Sequence, residues 1–553
     1  MFSIQVQNLR SLKDTGEIDL APLTLLVGEN SSGKSTFIRL FPLLRQSTDT
    51  VTGSGLLLRG GYVDYGPFPV ALRKGADSNK ITFTLGFKLP SRNEGYGGSP
   101  NLIEELPIKL RVAFAARRQE VSFSYLCGAD IYLGDEQQDH ISFEANEDGS
   151  ITKLLVNEYD AAGQLERIAL RSGRGVIPLL RTLPKGIDAT SEETEYDAGA
   201  FNESLLSATN WIFHGRTTIE VRLAVFDAIR IGTPDGMLAE MQRASAMSKW
   251  QSTVRRWNTT NSQFLKLRNL LIANRLSTLL TIAAREMASF SSGLRYFAPL
   301  RAPLGRDYPI TDLTVDEVAK DGANLPMVLA RLSSNDLEDF QVWTEKYFGF
   351  TIKVLPLGDG SSVTLRLQDN ISGMDVTLAD TGFGFSQMLP FILQIWNVTQ
   401  RDGLFETASS TKRLRGYRPR DRNLGFLIAI EQPELHLHPA LQAKVVDMMA
   451  AAIHILKGKE IPIHFVLETH SPTFVERIGH LISGKQFSPE DAKVLFFDRT
   501  TNADGSTISN VQTALYNNEG VLLDPFPLGF FLTSSEGIPF PRTTESEQLS
   551  TTP

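Results

Sequence analysis

The sequence is poor in the features that mark secreted, disulfide-bonded and membrane proteins. Its one cysteine, Cys127, excludes an internal disulfide or a cysteine-based zinc cluster, and we expect it to be a small buried apolar residue. The first residues, MFSIQVQNLRSLKD, lack the basic start and apolar stretch of a signal peptide, and arginines interrupt the leucine-rich run at 270–284. We therefore predict no membrane span and a cytoplasmic location.

The chain also has fewer basic residues (55 Lys and Arg) than acidic ones (63 Asp and Glu). The formal net charge is -8, which argues against a surface that coats nucleic acid, although local basic patches can still bind phosphates. A content of 42% apolar and 21% charged residues is typical of a globular protein. The 553 residues are too many for one simple core, so we expect two or more structural units.

Residues 23–40, LTLLVGENSSGKSTFIRL, combine an apolar strand, a glycine-bearing loop and an apolar-periodic helix. Gly28, Gly33, Lys34 and Ser35 match the P-loop pattern G-x-x-x-x-G-K-[ST], with the correct element on each side. The glycines let backbone N–H groups face a β-phosphate, Lys34 reaches the β- and γ-phosphates, and the Ser35 hydroxyl ligates Mg²⁺. This stretch predicts binding of ATP with Mg²⁺.

Three further elements follow the P-loop in order. A glycine-rich turn enters an amphipathic helix at 380–396 (DTGFGFSQMLPFILQIW), and an apolar strand at 426–430 ends in Glu431. A later strand ends in Glu468 and is followed by Thr469 and His470. A P-loop needs a distant acid for its metal, and Glu431 supplies one. With these motifs in this order, the chain resembles the ATP-binding-cassette (ABC) ATPases of the SMC, RecN and OLD type.

Longer stretches indicate a narrower resemblance. The segments NLRSLKDTGEIDLAPLTLLVGENSSGKST, YFAPLRAPLGRDY and IEQPELHLHP are similar to those of the AAA-type ATPases of prokaryotic antiphage defence. This OLD-like group includes the ATPase subunits of Septu, retron-associated Septu and PARIS systems. The resemblance covers roughly residues 1–75 and 295–500.

The resemblance implies a role for each motif. Such ATPases pair head to tail, so that the P-loop of one subunit and the signature turn of the other enclose ATP and Mg²⁺, which requires at least a dimer. His470 takes the place of the switch histidine that contacts the γ-phosphate, and Glu431 joins Ser35 as a metal ligand. His436 and His438 are assigned to the dimer seam, with metal binding as the alternative. The implied nucleotide-binding residues are Arg10, Gly28, Asn30, Ser32, Gly33, Lys34, Ser35 and Thr36 on the P-loop side, and Gly382, Gly384, Ser386 and Gln387 in the signature turn.

One residue departs from the family pattern. Gln432 occupies the position of the glutamate that activates water. A glutamine amide can orient water but cannot accept its proton, and loss of a positioned general base costs about 100- to 10,000-fold in rate. Glu434 and Glu468 are alternative bases, and a glutamine positions water in small GTPases. The candidate catalytic residues are thus Glu431, Gln432, Glu434 and His470, and we predict tight ATP binding with slow hydrolysis.

The middle of the chain contains two further units. Between about residues 78 and 172 apolar and polar residues alternate, as at Ile81, Phe83 and Leu85, which predicts an antiparallel β meander. From about 200 to 290 the apolar period becomes helical without a sustained heptad. This pattern predicts a short helical insertion rather than a long coiled coil.

Two stretches are locally basic. Residues 238–286 carry eight Lys/Arg against two Glu and interleave Trp250, Trp257 and Phe264, a combination that suits single-stranded nucleic acid or structured RNA. The favoured alternative is a solvated helix face over core tryptophans. Residues 411–423, TKRLRGYRPRDRN, form a second basic run that is a candidate for phosphate contacts.

These patterns predict an α/β fold, namely an ABC-type P-loop ATPase head with an antiparallel β arm and a helical insertion. The parts are the N-terminal ATPase core (1–77), the β-rich arm (78–199), the helical insertion (200–294), the C-terminal ATPase core (295–532) and a tail (533–553). The tail is rich in Ser, Thr, Glu and Pro, and we expect it to be disordered.

The family resemblance also implies a function. It is that of the ATPase subunit of a bacterial antiphage complex, a homodimer that controls a separate nuclease effector of the HNH or Toprim type, with retron RNA/DNA or another nucleic acid as a further partner. A DNA-repair ATPase is an alternative, against which the lack of a long coiled coil argues. A stand-alone OLD-type nuclease is another, but the 83 residues after His470 contain no convincing glutamate plus D-x-D metal site.

Overall fold

The computed structural model describes residues 3–50, 55–88, 106–134, 139–161, 163, 168–170, 175–182, 201–299, 301–302, 305–310, 317–358, 360–369, 373–381, 383–400, 425–501 and 507–523. Three sequence-based assignments lie outside these residues. They are Gly382 of the signature turn, the basic run at 411–423 and the tail at 533–553.

A single mixed sheet dominates the described structure. Fifteen strands form it in the order β10-β9-β8-β7-β6-β5-β1-β2-β21-β20-β4-β19-β18-β13, with β3 paired to β1. The strands of the chain are β1 (Ser3–Leu9), β2 (Leu12–Asp14), β3 (Ile18–Asp19), β4 (Leu23–Gly28), β5 (Lys80–Lys88), β6 (Pro107–Ala116), β7 (Ser124–Leu133), β8 (Asp139–Ala145), β9 (Ile151–Val156), β10 (Tyr159–Asp160), β11 (Ile168–Leu170), β12 (Leu180–Thr182), β13 (Leu294–Phe297), β14 (Tyr308–Pro309), β15 (Phe350–Leu357), β16 (Ser362–Asp369), β17 (Asp375–Thr377), β18 (Phe426–Glu431), β19 (Ile463–Glu468), β20 (Ala492–Thr501) and β21 (Thr507–Leu515).

The central strands of this sheet, β20, β4, β19, β18 and β13, run parallel. Both faces are covered, since Leu26 of β4 belongs to one apolar core and Leu25 to the other, which explains why these strands are continuous apolar runs. Parallel strands end at the same edge of a sheet. The loop after Gly28 and the carboxylates of Glu431 and Glu468, which are register partners on β18 and β19, therefore share one edge.

The antiparallel arm extends the same sheet. β1 pairs with β5, and β5 to β10 then pair with their neighbours in order. The predicted alternation is confirmed, because Ile81, Phe83 and Leu85 are fully buried. The single cysteine, Cys127, is buried in β7, as predicted. Since β1 lies on the arm side, parts of the 1–77 and 78–199 segments share one sheet.

The helices cover the faces of the sheet and form the insertion. They are α1 (Lys34–Ile38), α2 (Leu40–Asp49), α3 (Phe68–Ala71), α4 (Asn202–Thr209), α5 (Ile219–Asp227), α6 (Pro234–Arg243), α7 (Ser248–Val254), α8 (Ser262–Asn274), α9 (Leu276–Gly293), α10 (Leu325–Arg331), α11 (Ser334–Phe348), α12 (Phe383–Thr399), α13 (Pro439–Gly458) and α14 (Pro472–Ser483). Side-chain caps set several starts, as at α8, where Asn261 accepts hydrogen bonds from the backbone N–H groups of Gln263 and Phe264.

Helix α13 is, within the described residues, the one helix long and apolar enough to cross a membrane. It packs against α12, α14 and β19, and its buried side includes Val445, Met449 and Ile453. Its apolar composition is therefore accounted for by its place in the core.

The predicted helical insertion is formed by α4 to α9. Trp250, Trp257 and Phe264 lie in its interior, with 0%, 8% and 0% of their surface exposed. Stacking of nucleic-acid bases on these rings, the less favoured interpretation of the sequence, is therefore wrong, and the core interpretation is confirmed. Of the basic side chains, Arg268 forms a buried ion pair with Asp139 of β8.

A second, smaller sheet lies within the C-terminal core and was not predicted from the sequence. It consists of β14, β15, β16 and β17. β15 and β16 are antiparallel, and their paired residues run from Phe350 opposite Asp369 to Leu357 opposite Ser362. It contacts the start of α12, where the rings of Phe350 and Phe385 meet edge to face with their centroids 5.2 Å apart. The start of the signature helix thus contacts a separate sheet, while the helix shares an apolar core with the P-loop strand.

Candidate nucleotide-binding site

The P-loop begins where β4 ends and closes at the start of α1. Gly28 has φ 147°, and a Cβ atom there would lie 2.2 Å from the carbonyl oxygen of Phe497 on β20. Gly33 has φ 104°, and its Cβ atom would lie 2.8 Å from Ser509 Oγ. Both positions therefore require glycine, because a side chain would strain the backbone and collide with neighbouring strands.

Lys34 is almost fully buried at the mouth of this loop. Its Nζ donates hydrogen bonds to the carbonyl oxygens of Gly28 (2.9 Å) and Glu29 (2.5 Å). Burial lowers the pKa of Lys34, and the nearby carboxylates of Glu468, Glu29 and Glu434 oppose that shift. Within the described chain, the buried Ser32 Oγ has no hydrogen-bond partner. The loop thus offers an ammonium group that is bonded only to its own backbone.

A polar cleft of about 280 Å³ opens over the loop. Seven of the predicted site residues line it, together with two that the prediction did not place there. The lining residues are Asn30, Ser31, Gly33, Lys34, Ser35, Thr36, Gln432, Glu468 and His470. The cleft combines one ammonium group, one carboxylate, several hydroxyls and a histidine, which suits a phosphate chain with a bound cation.

Glu468 supplies the single carboxylate among these lining residues. Its Oε1 accepts a hydrogen bond from Ser35 Oγ at 2.6 Å, and its Oε2 is buried without a hydrogen-bond partner among the described residues. Burial raises the pKa of Glu468 to about 7; the charge of Glu431 adds to the rise, while Ser35, Lys34 and Arg39 oppose it. The unpartnered carboxylate oxygen and the serine hydroxyl are both hard oxygen ligands of the kind that a divalent cation binds.

Glu431, the predicted metal ligand, is placed differently. It is 1% exposed and does not line the cleft. Arg39 Nε and Nη2 each donate to its carboxylate at 2.7 Å, and the Tyr296 hydroxyl donates at 2.6 Å. The hydrogen bond and charge of Glu431 raise the pKa of Arg39. In the structure Glu431 is thus paired with Arg39, four residues after Ser35, whereas the Ser35 hydroxyl bonds Glu468.

Gln432 lines the cleft, as its predicted role requires. Its backbone adopts φ 45°, unusual for a residue with a side chain, and its N–H donates to the carbonyl oxygen of Glu468 at 2.8 Å. Glu434 lies behind it with both carboxylate oxygens engaged, one by the Thr469 hydroxyl (2.9 Å) and one by the His470 backbone N–H (2.7 Å). The alternative base Glu434 is thus bonded to the β19–α14 turn and does not line the cleft.

His470 presents a neutral imidazole to the cleft at neutral pH. Burial lowers its pKa below the usual 6.5, and the positive charge of Lys34 lowers it further. A neutral ring has one donor and one acceptor nitrogen, so it can donate to a phosphate oxygen without adding a full charge.

A family model described as "AAA ATPase domain" matches residues 1–162 and 318–475, more than half of the chain. The chain belongs to this AAA ATPase family. Membership implies nucleotide binding. The fold is α/β, that of an ABC-type P-loop ATPase head with an antiparallel β arm and a helical insertion, as predicted. No curated protein matches the chain.

Solved SMC heads are similar to this ATPase over most of its length. An SMC head bound to the C-winged helix domain of ScpA is 10% identical, with 92% of this chain and 96% of that chain covered and a TM-score of 0.31. An Smc head with an extended coiled coil, bound to the C-terminal domain of ScpA and derived from Pyrococcus furiosus, is 11% identical, with 93% and 96% covered and a TM-score of 0.30. The SMC head domain from Thermotoga maritima is 8% identical, with 92% and 97% covered and a TM-score of 0.31.

The signature residues of the ATPase lie apart from its own cleft. Gly384, Ser386 and Gln387 do not line it, and α12 begins instead beside the loop after β18. A Cβ atom on Gly384 would lie 2.7 Å from the carbonyl oxygen of His436, and Gln387 Nε2 donates to the carbonyl oxygen of Arg301 at 3.3 Å. These contacts place the start of α12 against the segment that follows Glu431 and against Arg301.

Two further predicted residues are also outside the cleft. Arg10 lies in the β1–β2 turn with its guanidinium 5.1 Å from the centre of the Tyr65 ring, and the Tyr65 hydroxyl donates to the Thr36 carbonyl oxygen at 2.6 Å. Arg10 therefore contacts the P-loop helix through a tyrosine. His438, assigned to the dimer seam, caps α13 by accepting a hydrogen bond from the Ala440 backbone N–H at 3.3 Å.

Three residues of the ATPase site were not assigned their observed places from the sequence. Arg39 and Tyr296 bind Glu431, and Glu468 was considered only as a base although its carboxylate faces Ser35. One signal was available for Arg39, since a position four residues after Ser35 on a helix lies on the same face. Nothing local pointed to Tyr296, which reaches Glu431 from the neighbouring strand β13.

Proposed function

We propose that this ATPase binds ATP with Mg²⁺ in the P-loop cleft and uses the nucleotide to clamp two subunits together. Lys34 would pair with the phosphates, backbone N–H groups of the loop would cradle them, and His470 would donate to the terminal phosphate. A bound divalent cation would neutralise phosphate charge. The buried Glu468 oxygen beside Ser35, which has no partner in the described part of the chain, supports a cation at this place.

The clamp is proposed to be a two-fold dimer. Gly384, Ser386 and Gln387 do not reach the cleft of their own chain, which supports their use on the cleft of a second chain. We expect ATP with Mg²⁺ to double the 61.2 kDa mass of the chain in light scattering, and Lys34→Ala to remain at the mass of one subunit. A constant mass at all nucleotide concentrations would contradict the clamp.

Hydrolysis is proposed to be slow. The observation that carries this is the composition of the cleft, in which Glu468 is the one carboxylate among the lining residues and is hydrogen bonded to Ser35. Gln432 stands where a base is needed, and both oxygens of Glu434 are engaged. Water bound near Gln432 would be oriented by the amide, which cannot accept a proton, while the Glu468 carboxylate would be engaged by Ser35 and the proposed cation.

Phosphate release by wild type and Gln432→Glu tests this proposal. A carboxylate at position 432 should raise the rate by about 100-fold or more, in the range that a positioned general base contributes. Gln432→Ala is the matched control and should not exceed wild type, while nucleotide affinity stays similar in all three. Brisk turnover by wild type with no gain from Gln432→Glu would contradict slow hydrolysis.

At the level of the cell, we propose that the clamp is the ATPase subunit of an antiphage system and holds a separate nuclease effector of the HNH or Toprim type. The support is the resemblance of the long motifs around the P-loop, Gln432 and the 296–308 segment. The insertion folds into short helices, and the longest of them, α9, has 18 residues. This length favours a clamp rather than a long arm that tethers DNA. Purification from the native operon should co-elute a nuclease; a wild-type complex without one would contradict this role.

A further inference from the structure

Two glutamates end neighbouring strands at the edge of the sheet that carries the cleft. Glu431 of β18 and Glu468 of β19 are register partners, and β19 in turn lies beside the P-loop strand β4, where Glu468 pairs with Leu26. Both carboxylates are almost fully buried, with 1% and 3% of each residue exposed. They differ in what occupies their oxygens.

The Glu431 carboxylate is fully engaged. Its Oε1 accepts hydrogen bonds from Arg39 Nε and the Tyr296 hydroxyl, and its Oε2 accepts one from Arg39 Nη2. The arginine contributes a planar two-point contact with opposite charge, which is the strongest form of such a pair. A metal ligated by Glu431 would have to displace a guanidinium that already neutralises it.

The Glu468 carboxylate is engaged on one oxygen only, as far as the described residues show. Its Oε1 contacts the Ser35 hydroxyl at 2.6 Å, its Oε2 has no hydrogen-bond partner within the described chain, and it lines the cleft. Magnesium prefers hard oxygen ligands and is usually bound by one or two carboxylates together with phosphate oxygens and water. Glu468 is one strand closer to the P-loop than Glu431 and presents the oxygen that such an ion needs.

We infer that Glu468, and not Glu431, is the carboxylate that holds Mg²⁺ with Ser35 when nucleotide is bound. The inference rests on the proposed function and names the metal ligand within it. Glu431 becomes a positioning residue that ties the P-loop helix to β18 through Arg39. The assignment of Mg²⁺ to Glu468 also accounts for the lack of a general base among the lining residues, because the single carboxylate of the cleft would bind the metal.

Metal binding tests the assignment without relying on hydrolysis. Mn²⁺ binding in the presence of a non-hydrolysable ATP analogue is followed by electron paramagnetic resonance, and nucleotide affinity is measured with Mg²⁺ and with chelator. In Glu468→Gln we expect the bound Mn²⁺ signal to disappear and the gain in affinity from Mg²⁺ to fall at least tenfold. Glu431→Gln should keep both responses close to wild type and lower the melting temperature.

One further variant and one control measurement guard against a trivial loss of fold. Glu468→Asp retains the charge with a shorter side chain and should recover part of the Mn²⁺ signal, whereas an amide cannot. Nucleotide affinity in chelator, equal to wild type, serves as the control for an intact P-loop in each variant. Loss of Mn²⁺ binding in Glu431→Gln, or its retention in Glu468→Gln, would overturn the assignment. Wild-type protein that binds no nucleotide would instead overturn the proposed function and this assignment with it.

Discussion

The nucleotide cleft and the seam between the insertion and the arm both bury charged side chains, but only at the seam are these charges paired with each other. At the seam, Arg268 of α8 forms a two-point ion pair with Asp139 of β8, and Asn157 donates to the same carboxylate at 2.9 Å. In the cleft, among the residues that the structure describes, Lys34 is bonded only to backbone carbonyls and Glu468 keeps an oxygen without a partner.

This difference separates structure from function. An unpaired buried polar group costs free energy, so a fold keeps one where a ligand supplies the missing partner. The seam charges are matched to each other and hold two parts of the chain together. Under the proposed function, phosphate and a cation are the partners of the cleft charges.

The largest effect is expected from breaking the seam. Asp139→Ala leaves the 3% exposed Arg268 side chain without its carboxylate, and loss of one partner of a buried ion pair typically costs about 3–5 kcal/mol. The free energy of unfolding is measured by denaturant titration. The double variant Asp139→Leu with Arg268→Met removes both charges and should recover most of the loss. Wild-type stability in Asp139→Ala would show that the pair contributes little.

A smaller loss, of ligand rather than of stability, is expected in the cleft. Lys34→Ala removes the ammonium that would meet the phosphates, and we expect nucleotide affinity to fall at least about 100-fold, which is about 2.7 kcal/mol. The melting temperature should change little, because Lys34 contacts only carbonyls of its own loop.

Lys320 provides a matched control for this variant. It also donates to two backbone carbonyl oxygens, those of Gly61 (2.6 Å) and Tyr62 (2.8 Å), and it does not line the cleft. Lys320→Ala should therefore leave nucleotide affinity at the wild-type level. Equal affinity in both variants would remove Lys34 from the proposed site.

The smallest effect is expected where a charge pair is exposed to solvent. Lys109 on β6 donates to Glu17 at 2.7 Å, and more than a third of each side chain is accessible, so Lys109→Ala should cost no more than about 1 kcal/mol. Burial raises the pKa of Glu17, but the hydrogen bonds of Lys109 and Ser3 and the charge of Lys109 outweigh it and lower the pKa below the usual 4.5.

The lowered pKa gives this pair a defined pH dependence. A glutamate with a depressed folded-state pKa stabilises the fold above its unfolded pKa and loses that contribution as the pH falls through the folded value. The stability difference between wild type and Lys109→Ala should therefore be full at neutral pH and shrink below about pH 4.5. A difference that grows in acid would contradict the sign of this linkage.

Residues within continuous motifs were predicted well from the sequence. The P-loop, the parallel strands ending in acid and the alternating strands of the arm follow from spacing alone, because each is a local pattern of period two or a short loop with fixed chemistry. Gln432 and His470 were placed in the cleft for the same reason. The small sheet of β14 to β17 was missed, because β15, β16 and β17 lie in a stretch of sequence that carries no motif.

Choices between equivalent residues were not predictable. Glu431 and Glu468 both end apolar strands, and their sequence contexts favour the first as the metal acid. In the structure Arg39, which follows α1, and Tyr296 of β13 engage Glu431, and this is why we assign the metal to Glu468. In the same way, the basic stretch at 238–286 did not reveal that Arg268 faces a carboxylate more than a hundred residues earlier in the chain.

The sequence by itself determined that this chain is a P-loop ATPase with a glutamine in place of the usual base, since those features are short and their chemistry belongs to the residues themselves. Only the tertiary structure decided which of two buried glutamates keeps an oxygen without a hydrogen-bond partner among the described residues. The physical reason is that a carboxylate's availability depends on the cations and hydroxyls packed against it, and these come from strands and helices distant in sequence.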